Sequence, residues 1–284
     1  MIGKIALVLL FILLVWGNLV AGLKAGLACP DWPLCHGQLL PPLRWDIYVE
    51  FIHRLIGGIT SLFIIILSFQ RFRSYIGSAK VVPILVVVLL LIQIVLGGIV
   101  VLMELPVDLT TYHFANAIVI FALVVYMVFF DGDQKKPLFS ISGYKGIFFF
   151  LSLLIFIQAV LGAYVRHSSS GLACPDFPTC LGYWIPPQIS GIVLNHFAHR
   201  GLAYIVTIVV AVLLIASYSS SALKNYRQKL LILIGLIILQ VLLGVAVVLT
   251  RLNFAVTALH LFIALLIFTT ALYAWFQGMR ENSV

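Results

Sequence analysis

Charged residues are scarce in this chain of 284 residues, of which only 9% are charged and 63% are hydrophobic. A soluble domain typically carries about 25% charged residues, and the mean hydropathy of +1.18 is far above the soluble range. The chain also lacks long polar connections between its apolar runs. These absences exclude a soluble domain and indicate a compact integral membrane protein.

Long apolar runs fill most of the sequence. Runs of about 20 residues, which suffice to cross a hydrocarbon core of about 30 Å, recur along the chain. The sequence therefore predicts an all-α integral membrane protein with eight transmembrane helices. The predicted spans lie near 5–22, 46–69, 81–103, 110–130, 146–165, 191–217, 229–250 and 255–277.

The net charge of +8 does not indicate nucleic-acid binding, because the basic residues collect in alternate connections without interleaved aromatic residues. One side of the membrane has Lys4, Arg71, Arg73, Lys80, Lys135, Lys136, Lys145, Lys224, Arg227, Lys229 and Arg280, and the other has Lys24, Arg44, Arg166 and Arg251. This asymmetry follows the positive-inside rule. It predicts a protein of the cell membrane with both termini in the cytoplasm and with the loops near 23–45 and 166–190 outside.

An internal repeat organises the chain. The motif Gly-Leu-Ala-Cys-Pro-Asp-Trp-Pro at 26–33 returns at 171–178 with Phe in place of Trp. Three further matches follow in the same order: His53-Arg54 with His199-Arg200, residues 93–97 with 240–244, and His113 with His260. This pattern indicates duplication and predicts two four-helix bundles, 1–140 and 141–284. Four spans restore the orientation, so the halves are expected to be parallel repeats.

The repeat also bears on the first span. Lys4 and the small-residue segment at 21–23 would permit a cleaved signal peptide. However, the fifth span is the counterpart of the first and cannot be cleaved. We therefore expect the first span to be retained.

Four of the seven histidines occupy repeat-related positions near the outer ends of predicted spans: His53, His113, His199 and His260. Counted from Asp46 and Asp108, the first two lie at similar depths of roughly 10 Å and 8 Å. An ionisable side chain at such a depth is a functional candidate by default. The remaining positions in loops, His36 and His167, are expected to be solvated.

Two histidines in each four-helix half suit haem better than zinc. A structural zinc site usually has four ligands, and neither pair is accompanied by the two further thiolates or carboxylates that would complete one. Two imidazoles facing each other in a helical bundle can supply both axial ligands of a haem. The alternative for each histidine is a packing contact with a neighbouring carbonyl, which an isolated histidine would favour.

Neighbouring polar residues suggest supporting roles. Arg54 and Arg200 directly follow the first histidine of each pair, so that their side chains could reach haem propionates or extend to the outer boundary of the membrane. Gln93 and Gln240 are expected to form hydrogen bonds between helices.

The halves differ at one position beside the predicted ligands. Glu50 lies three residues before His53, on the same helix face, and its counterpart is His196. A carboxylate here suits proton transfer or stabilisation of positive charge on a substrate, whereas the alternative is a salt bridge with arginine. Its presence in one half only predicts chemistry in the first half and a structural or electron-transferring haem in the second.

All four cysteines lie in the two predicted outer loops with the same spacing. Outside the cytoplasm the environment is oxidising, and proximity favours the pairs Cys29–Cys35 and Cys174–Cys180 among the three possible pairings. A metal site is the less favoured alternative. A disulfide in a short loop is either a structural staple or a redox-active pair, and the first pair, on the Glu50 side, is the candidate for electron transfer.

Taken together, these motifs resemble the haem A synthases of the CtaA type over essentially the whole chain. The resemblance rests on Gly-Leu-Ala-Cys-Pro-Asp in both loops, on Glu50-x-x-His53-Arg54 and His199-Arg200, and on the late His113 and His260. It implies oxidation of a methyl group of haem O to the formyl group of haem A, which serves haem-copper terminal oxidases.

The resemblance also implies individual roles. His53 and His113 would hold the substrate haem O with Glu50 as the essential acid, while His199 and His260 would ligate a resident haem b. A haem O synthase and assembly factors of the terminal oxidase would be plausible partners, in addition to membrane lipid. Two rival functions stay open, a two-haem electron-transfer protein of the cytochrome b type and a transporter, although no helix break marks the middle of a predicted span.

Overall fold

The computed structural model of the chain describes residues 1–132, 139 and 141–280. Lys135 and Lys136, which contribute to the predicted charge asymmetry, lie outside the described residues. Ser140, at the predicted boundary between the halves, also lies outside them.

Eight helices of the described residues are long and apolar enough to cross a membrane. The predicted all-α membrane architecture is thereby confirmed. The long helices are α1 (Ile2–Gly22), α2 (Trp45–Ser74), α3 (Val81–Leu102), α4 (Val107–Phe129), α5 (Gly143–His167), α6 (Gly191–Ser219), α8 (Arg227–Leu249) and α9 (Phe254–Arg280). A 3₁₀ helix, Gly77–Lys80, and the short α7, Ser221–Lys224, lie in connections and were not predicted.

Helix α2 extends five residues beyond the predicted end of its span at residue 69. Arg71 explains part of this extension, since its Nε donates to the Met127 carbonyl at 2.8 Å and its Nη1 to the Asp131 carbonyl at 3.1 Å. Met127 lies in the last turn of α4, and Asp131 follows the helix by two residues. The last carbonyl groups of a helix have no hydrogen-bond donor within the helix itself. The extra turn of α2 therefore caps its neighbour.

The chain divides into two compact units, Met1–Leu138 and Phe139–Val284, called the first and the second unit below. In the first unit, α1 packs against α2 and α4, and α3 packs against the same two helices. In the second unit, α5 packs against α6 and α9, and α8 again packs against the same two. Each unit is therefore a four-helix bundle, and the parallel relation of the two stays a prediction.

The loop between α1 and α2 folds around one carboxylate. Asp31 accepts hydrogen bonds from the backbone N–H groups of His36 at 2.6 Å and Gly37 at 2.7 Å. These bonds, first of all that from Gly37, lower the pKa of Asp31. His36 has a positive φ of 54° and its Nε2 lies 2.9 Å from the Ala28 carbonyl. This histidine is therefore part of the turn, and it is exposed, as expected.

The loop between α5 and α6 repeats the same construction. Asp176 accepts from the backbone N–H groups of Leu181 and Gly182, and from the Thr179 hydroxyl. The Thr179 hydroxyl, followed by the Gly182 N–H, lowers the pKa of Asp176 to about 2. The backbone thus reproduces the sequence repeat at the level of single hydrogen bonds.

Candidate active site

The first unit brings together the histidines predicted to hold one haem. His53 on α2 and His113 on α4 lie in the same bundle, and Nδ1 of each ring is buried. Each ring packs against a glycine of a further helix: a Cβ atom on Gly17 would lie 3.1 Å from Cε1 of His53, and one on Gly97 would lie 3.1 Å from Cε1 of His113. The missing side chains let both imidazoles approach the neighbouring backbone, which holds them within the bundle.

The second unit repeats this arrangement with His199 on α6 and His260 on α9, whose Nδ1 atoms are also buried. A Cβ atom on Gly162 would lie 2.9 Å from Cε1 of His199, and one on Gly244 would lie 3.3 Å from Cε1 of His260. Sequence reasoning had not assigned a role to these glycines. The signal was available, because Gly17 returns as Gly162 at the offset of the loop motif and Gly97 returns as Gly244 at the offset of His113 and His260.

The environment of these rings fits an axial haem ligand. In the described part of the chain, Nδ1 of His53, His113, His199 and His260 is buried without a hydrogen-bond partner. Buried polar atoms are rarely left unpaired, so four such atoms at repeat-related positions indicate a ligand-binding function. Two imidazoles per bundle are the donor set of a bis-histidine haem.

The predicted hydrogen bonds between helices are confirmed for both glutamines, and their partners are the histidines. Gln93 Nε2 lies 3.2 Å from Nε2 of His113, and Gln240 Nε2 lies 3.1 Å from Nε2 of His260. In the first unit, Asn116 donates at 2.8 Å to the Gln93 side-chain oxygen. The Gln93 side-chain amide is therefore held in one orientation. The Gln240 side-chain oxygen, in contrast, is buried without a partner among the described residues.

Arg54 binds the cysteine loop, a role that sequence analysis did not anticipate. Its Nη1 donates to the Asp31 carbonyl at 2.7 Å and to the Leu34 carbonyl at 2.6 Å, and its Nη2 donates to the Cys29 carbonyl at 2.9 Å. Its Nε donates to Oε1 of Glu50 at 3.0 Å. One guanidinium group therefore joins the loop to the acidic residue of the predicted site.

Arg200 makes the same loop contacts in the second unit. Nη1 donates to the Asp176 carbonyl at 2.5 Å and the Thr179 carbonyl at 2.8 Å, and Nη2 donates to the Cys174 carbonyl at 2.7 Å. Its Nε lies 3.2 Å from Nε2 of His196. Most N–H groups of both arginines are thus engaged within the protein, and their suggested contact with haem propionates stays a prediction.

Glu50 is buried, with 5% of its surface exposed, and forms an ion pair with Arg54. The salt bridge considered as the alternative to a catalytic role is therefore present. The pair does not exclude that role, because the carboxylate still lies one helical turn from His53. In the second unit the corresponding arginine, Arg200, contacts the imidazole ring of His196. Nδ1 of this ring lies 3.3 Å from the backbone nitrogen of Cys174.

Both predicted disulfides, Cys29–Cys35 and Cys174–Cys180, are formed. The four cysteines are between 0% and 2% exposed. The first disulfide packs against Ile47 and Phe51 near the start of α2. Burial of both disulfides indicates that each closes its loop in the core of its unit, and the redox activity of the first pair stays a prediction.

The first loop also contacts α3 beside the His113 site. A Cβ atom on Gly98 would lie 2.9 Å from the Trp32 ring, and Gly98 directly follows the glycine that contacts His113. In the second unit the corresponding residues are Phe177 and Val245. The close contact between a loop tryptophan and a glycine of α3 is therefore specific to the first unit.

Eight apolar helices in the described part of the chain, with a pair of histidines in each of two four-helix units, define a polytopic membrane protein. Residues 44–272 match the model of the COX15-CtaA family, described as cytochrome oxidase assembly protein. The chain belongs to this family.

Individual relatives agree over nearly the full length. Heme A synthase of Halalkalibacterium halodurans is 32% identical, over 99% of this chain and 97% of the relative. Heme A synthase of Bacillus licheniformis is 30% identical over 92% of this chain and 89% of the relative, and that of Lysinibacillus sphaericus is 30% identical over 96% and 92%. The resemblance to the haem A synthases is confirmed.

Proposed function

We propose that this membrane oxidoreductase converts haem O to haem A, for the biogenesis of terminal oxidases, and that the first unit carries the reaction. Membership of the COX15-CtaA family and about 30% identity to Heme A synthases support the activity. They favour haem A synthesis over the alternative of a two-haem electron-transfer protein. The reaction class is oxidation of a ring methyl group to a formyl group, which removes four electrons.

The observation that carries the assignment of the first unit is the buried carboxylate of Glu50. Glu50 lies one turn from His53 on α2, and His196 occupies the same position in the second unit. Removal of four electrons from a methyl group also releases protons, which requires an acceptor near the reacting carbon. The Glu50 carboxylate supplies that acceptor or stabilises positive charge that develops on the substrate.

His53 and His113 are the proposed ligands of the substrate haem. Their contact with Gly17 and Gly97 keeps both rings at fixed positions in the bundle, so that the substrate iron is held between α2 and α4. The bundle also excludes water from the reacting edge, which strengthens the electrostatic effect of Glu50. Arg54 orients Glu50 through its Nε and holds the cysteine loop through its Nη groups.

His199 and His260 are the proposed ligands of a resident haem b. The buried, unpaired Nδ1 atoms of the two rings fit this group. When bound, haem b supplies one-electron redox chemistry to the protein. The residues of the second unit bind and orient it, and no carboxylate occupies the position of Glu50 there.

The proposed topology has both termini in the cytoplasm and both cysteine loops outside. The distribution of basic residues supports it, and disulfide formation in these loops fits an oxidising environment. A fluorescent protein fused to the C-terminus should fluoresce in the cytoplasm, whereas alkaline phosphatase at the same position should be inactive. The opposite pattern would reverse the topology.

Haem O, haem A and membrane lipid are the proposed molecular partners. A haem O synthase is a further proposed protein partner, because its product is apolar and poorly soluble in water. Assembly factors of the terminal oxidase, which receives haem A, are also proposed as protein partners. Both suggestions follow from the chemistry of substrate and product.

The proposal is tested by extracting the haems of the purified full-length protein, expressed with and without a source of haem O. Pyridine haemochrome spectra and chromatography identify each haem. We expect haem b together with haem O, its hydroxylated form or haem A. Two haem b groups per chain, even with haem O supplied, would contradict haem O oxidation and favour electron transfer alone.

A further inference from the structure

A third arginine of the outer region differs from Arg54 and Arg200 in its contacts. Arg166 is the next-to-last residue of α5, and its side chain is partly buried. The described residues provide no hydrogen-bond or ion-pair partner for its guanidinium group. A partly buried cation without a partner is costly, which indicates that a ligand completes its interactions.

The position of Arg166 points to the histidine pair of the second unit. Gly162 lies one helical turn earlier on α5, and positions four residues apart share a helix face. A Cβ atom on Gly162 would lie 2.9 Å from Cε1 of His199. Because side chains of a helix tilt toward its N-terminus, the Arg166 side chain covers the turn that contacts His199.

A haem carries two carboxylates, its propionates, which need cationic or hydrogen-bonding partners where they are partly buried. An arginine binds a carboxylate through two parallel hydrogen bonds and keeps its charge when partly buried. We propose that Arg166 binds a propionate of the haem held by His199 and His260. This inference rests on the proposed haem b site of the second unit.

The first unit provides the matched comparison. Gly17 contacts His53 as Gly162 contacts His199, and the residue one turn after Gly17 is Ala21. The first unit therefore lacks this arginine beside its histidine pair. A resident cofactor gains from an additional anchor, whereas a substrate has to leave as product, and the difference at this position matches these two requirements.

The test uses the full-length protein with haem b bound, in detergent, and the variants Arg166→Ala and Arg166→Lys. Transfer of haem b to apomyoglobin measures retention, and a redox titration measures the midpoint potential. We expect about tenfold faster transfer for Arg166→Ala, from the loss of a charge-assisted hydrogen bond. Its potential should fall, because loss of a nearby positive charge favours the ferric state, and Arg166→Lys should recover most of both properties.

Ala21→Arg is the reciprocal variant. Ala21 is exposed, so an arginine fits there without displacing the bundle, and we expect slower transfer of haem from the first unit to apomyoglobin. Wild-type transfer rate and potential in Arg166→Ala would overturn the propionate contact. A lower melting temperature with unchanged potential would also overturn it in favour of a structural role. Absence of haem b from the wild-type second unit would instead refute the proposed cofactor site.

Discussion

The two units build the same loop around the same arginine but differ in what that arginine meets on its own helix. Arg54 donates its Nε to the Glu50 carboxylate, whereas the Nε of Arg200 faces the His196 ring. In both units the Nη groups of the arginine donate to the carbonyl groups of three equivalent loop residues. The repeat thus preserves the loop contacts and differs in the charge beside His53, the residue that we propose as a ligand of the substrate haem.

The comparison predicts that haem O oxidation requires Glu50. We expect Glu50→Ala, and Glu50→His, which copies the second unit, to lower haem O oxidation at least about 100-fold, because the proton acceptor is lost. Chromatography of extracted haems measures the product.

The haem b spectrum should stay normal in both Glu50 variants, since the second unit is untouched. His196→Glu, the reciprocal change, should leave haem O oxidation above that of Glu50→His. Full activity of Glu50→Ala would remove this carboxylate from the mechanism.

The arginines test whether loop and site are connected. Arg54→Gln removes three loop contacts and leaves the buried Glu50 without its ion-pair partner, which costs about 3 kcal/mol or more. We expect reduced thermal stability in detergent together with reduced haem O oxidation.

Arg200→Gln is the matched control, because it removes the corresponding loop contacts without leaving a carboxylate unpaired. It should lower the thermal stability of the protein but affect haem O oxidation less than Arg54→Gln does. Equal losses of activity in the two variants would indicate that the arginines have only a structural function.

The disulfides should contribute less to stability than the arginines. Each closes a short loop with a sequence separation of 6, for which chain entropy gives about 2 kcal/mol. Cys29→Ser and Cys174→Ser should therefore both lower the melting temperature. If the first pair transfers electrons, Cys29→Ser should abolish haem O oxidation and Cys174→Ser should not. Equal activity of both variants would indicate that the first disulfide has only a structural function. An unchanged melting temperature in Cys174→Ser would contradict a structural disulfide there.

The carboxylates inside the loops predict a small effect of pH. The pKa of Asp176 is lowered from 3.8 to about 2, so its stabilising effect is complete above pH 3.8 and is lost as the pH falls toward 2. Reduction of Cys174–Cys180 by a phosphine, measured relative to reduction of an unstructured disulfide peptide at the same pH, should accelerate in that range. The peptide reference corrects for protonation of the phosphine itself. Asp176→Asn should reduce this dependence, and a relative rate that is constant between pH 5 and pH 2 would contradict the role of this carboxylate.

Much of the fold could be predicted from the sequence because a bilayer restricts the choices. Apolar length alone predicted eight spans, which the structure confirms, and the loop cysteines indicated both disulfides. Helix ends were less accurate: the last turn of α2 depends on Arg71 and on carbonyls more than 50 residues away. Contacts of this kind have no local signature.

In the candidate site, too, some features could be predicted from the sequence and others could not. Repetition singled out the histidines and the Glu50–His196 difference, since these are properties of residue type and spacing. The guanidinium contacts of Arg54 could not be predicted, because three loop carbonyls converge only after the cysteine loop has folded. Likewise, an unpaired Arg166 is recognised only when its surroundings are known.

The amino-acid sequence thus decided the membrane class, the helical spans and the residue types available in each unit. These follow from hydrophobic transfer and from the need to pair backbone groups inside the bilayer, which act on every segment separately. The tertiary structure decided which glycine each histidine contacts and which carbonyls each arginine binds. Such contacts join segments distant in sequence, so they depend on packing rather than on local composition.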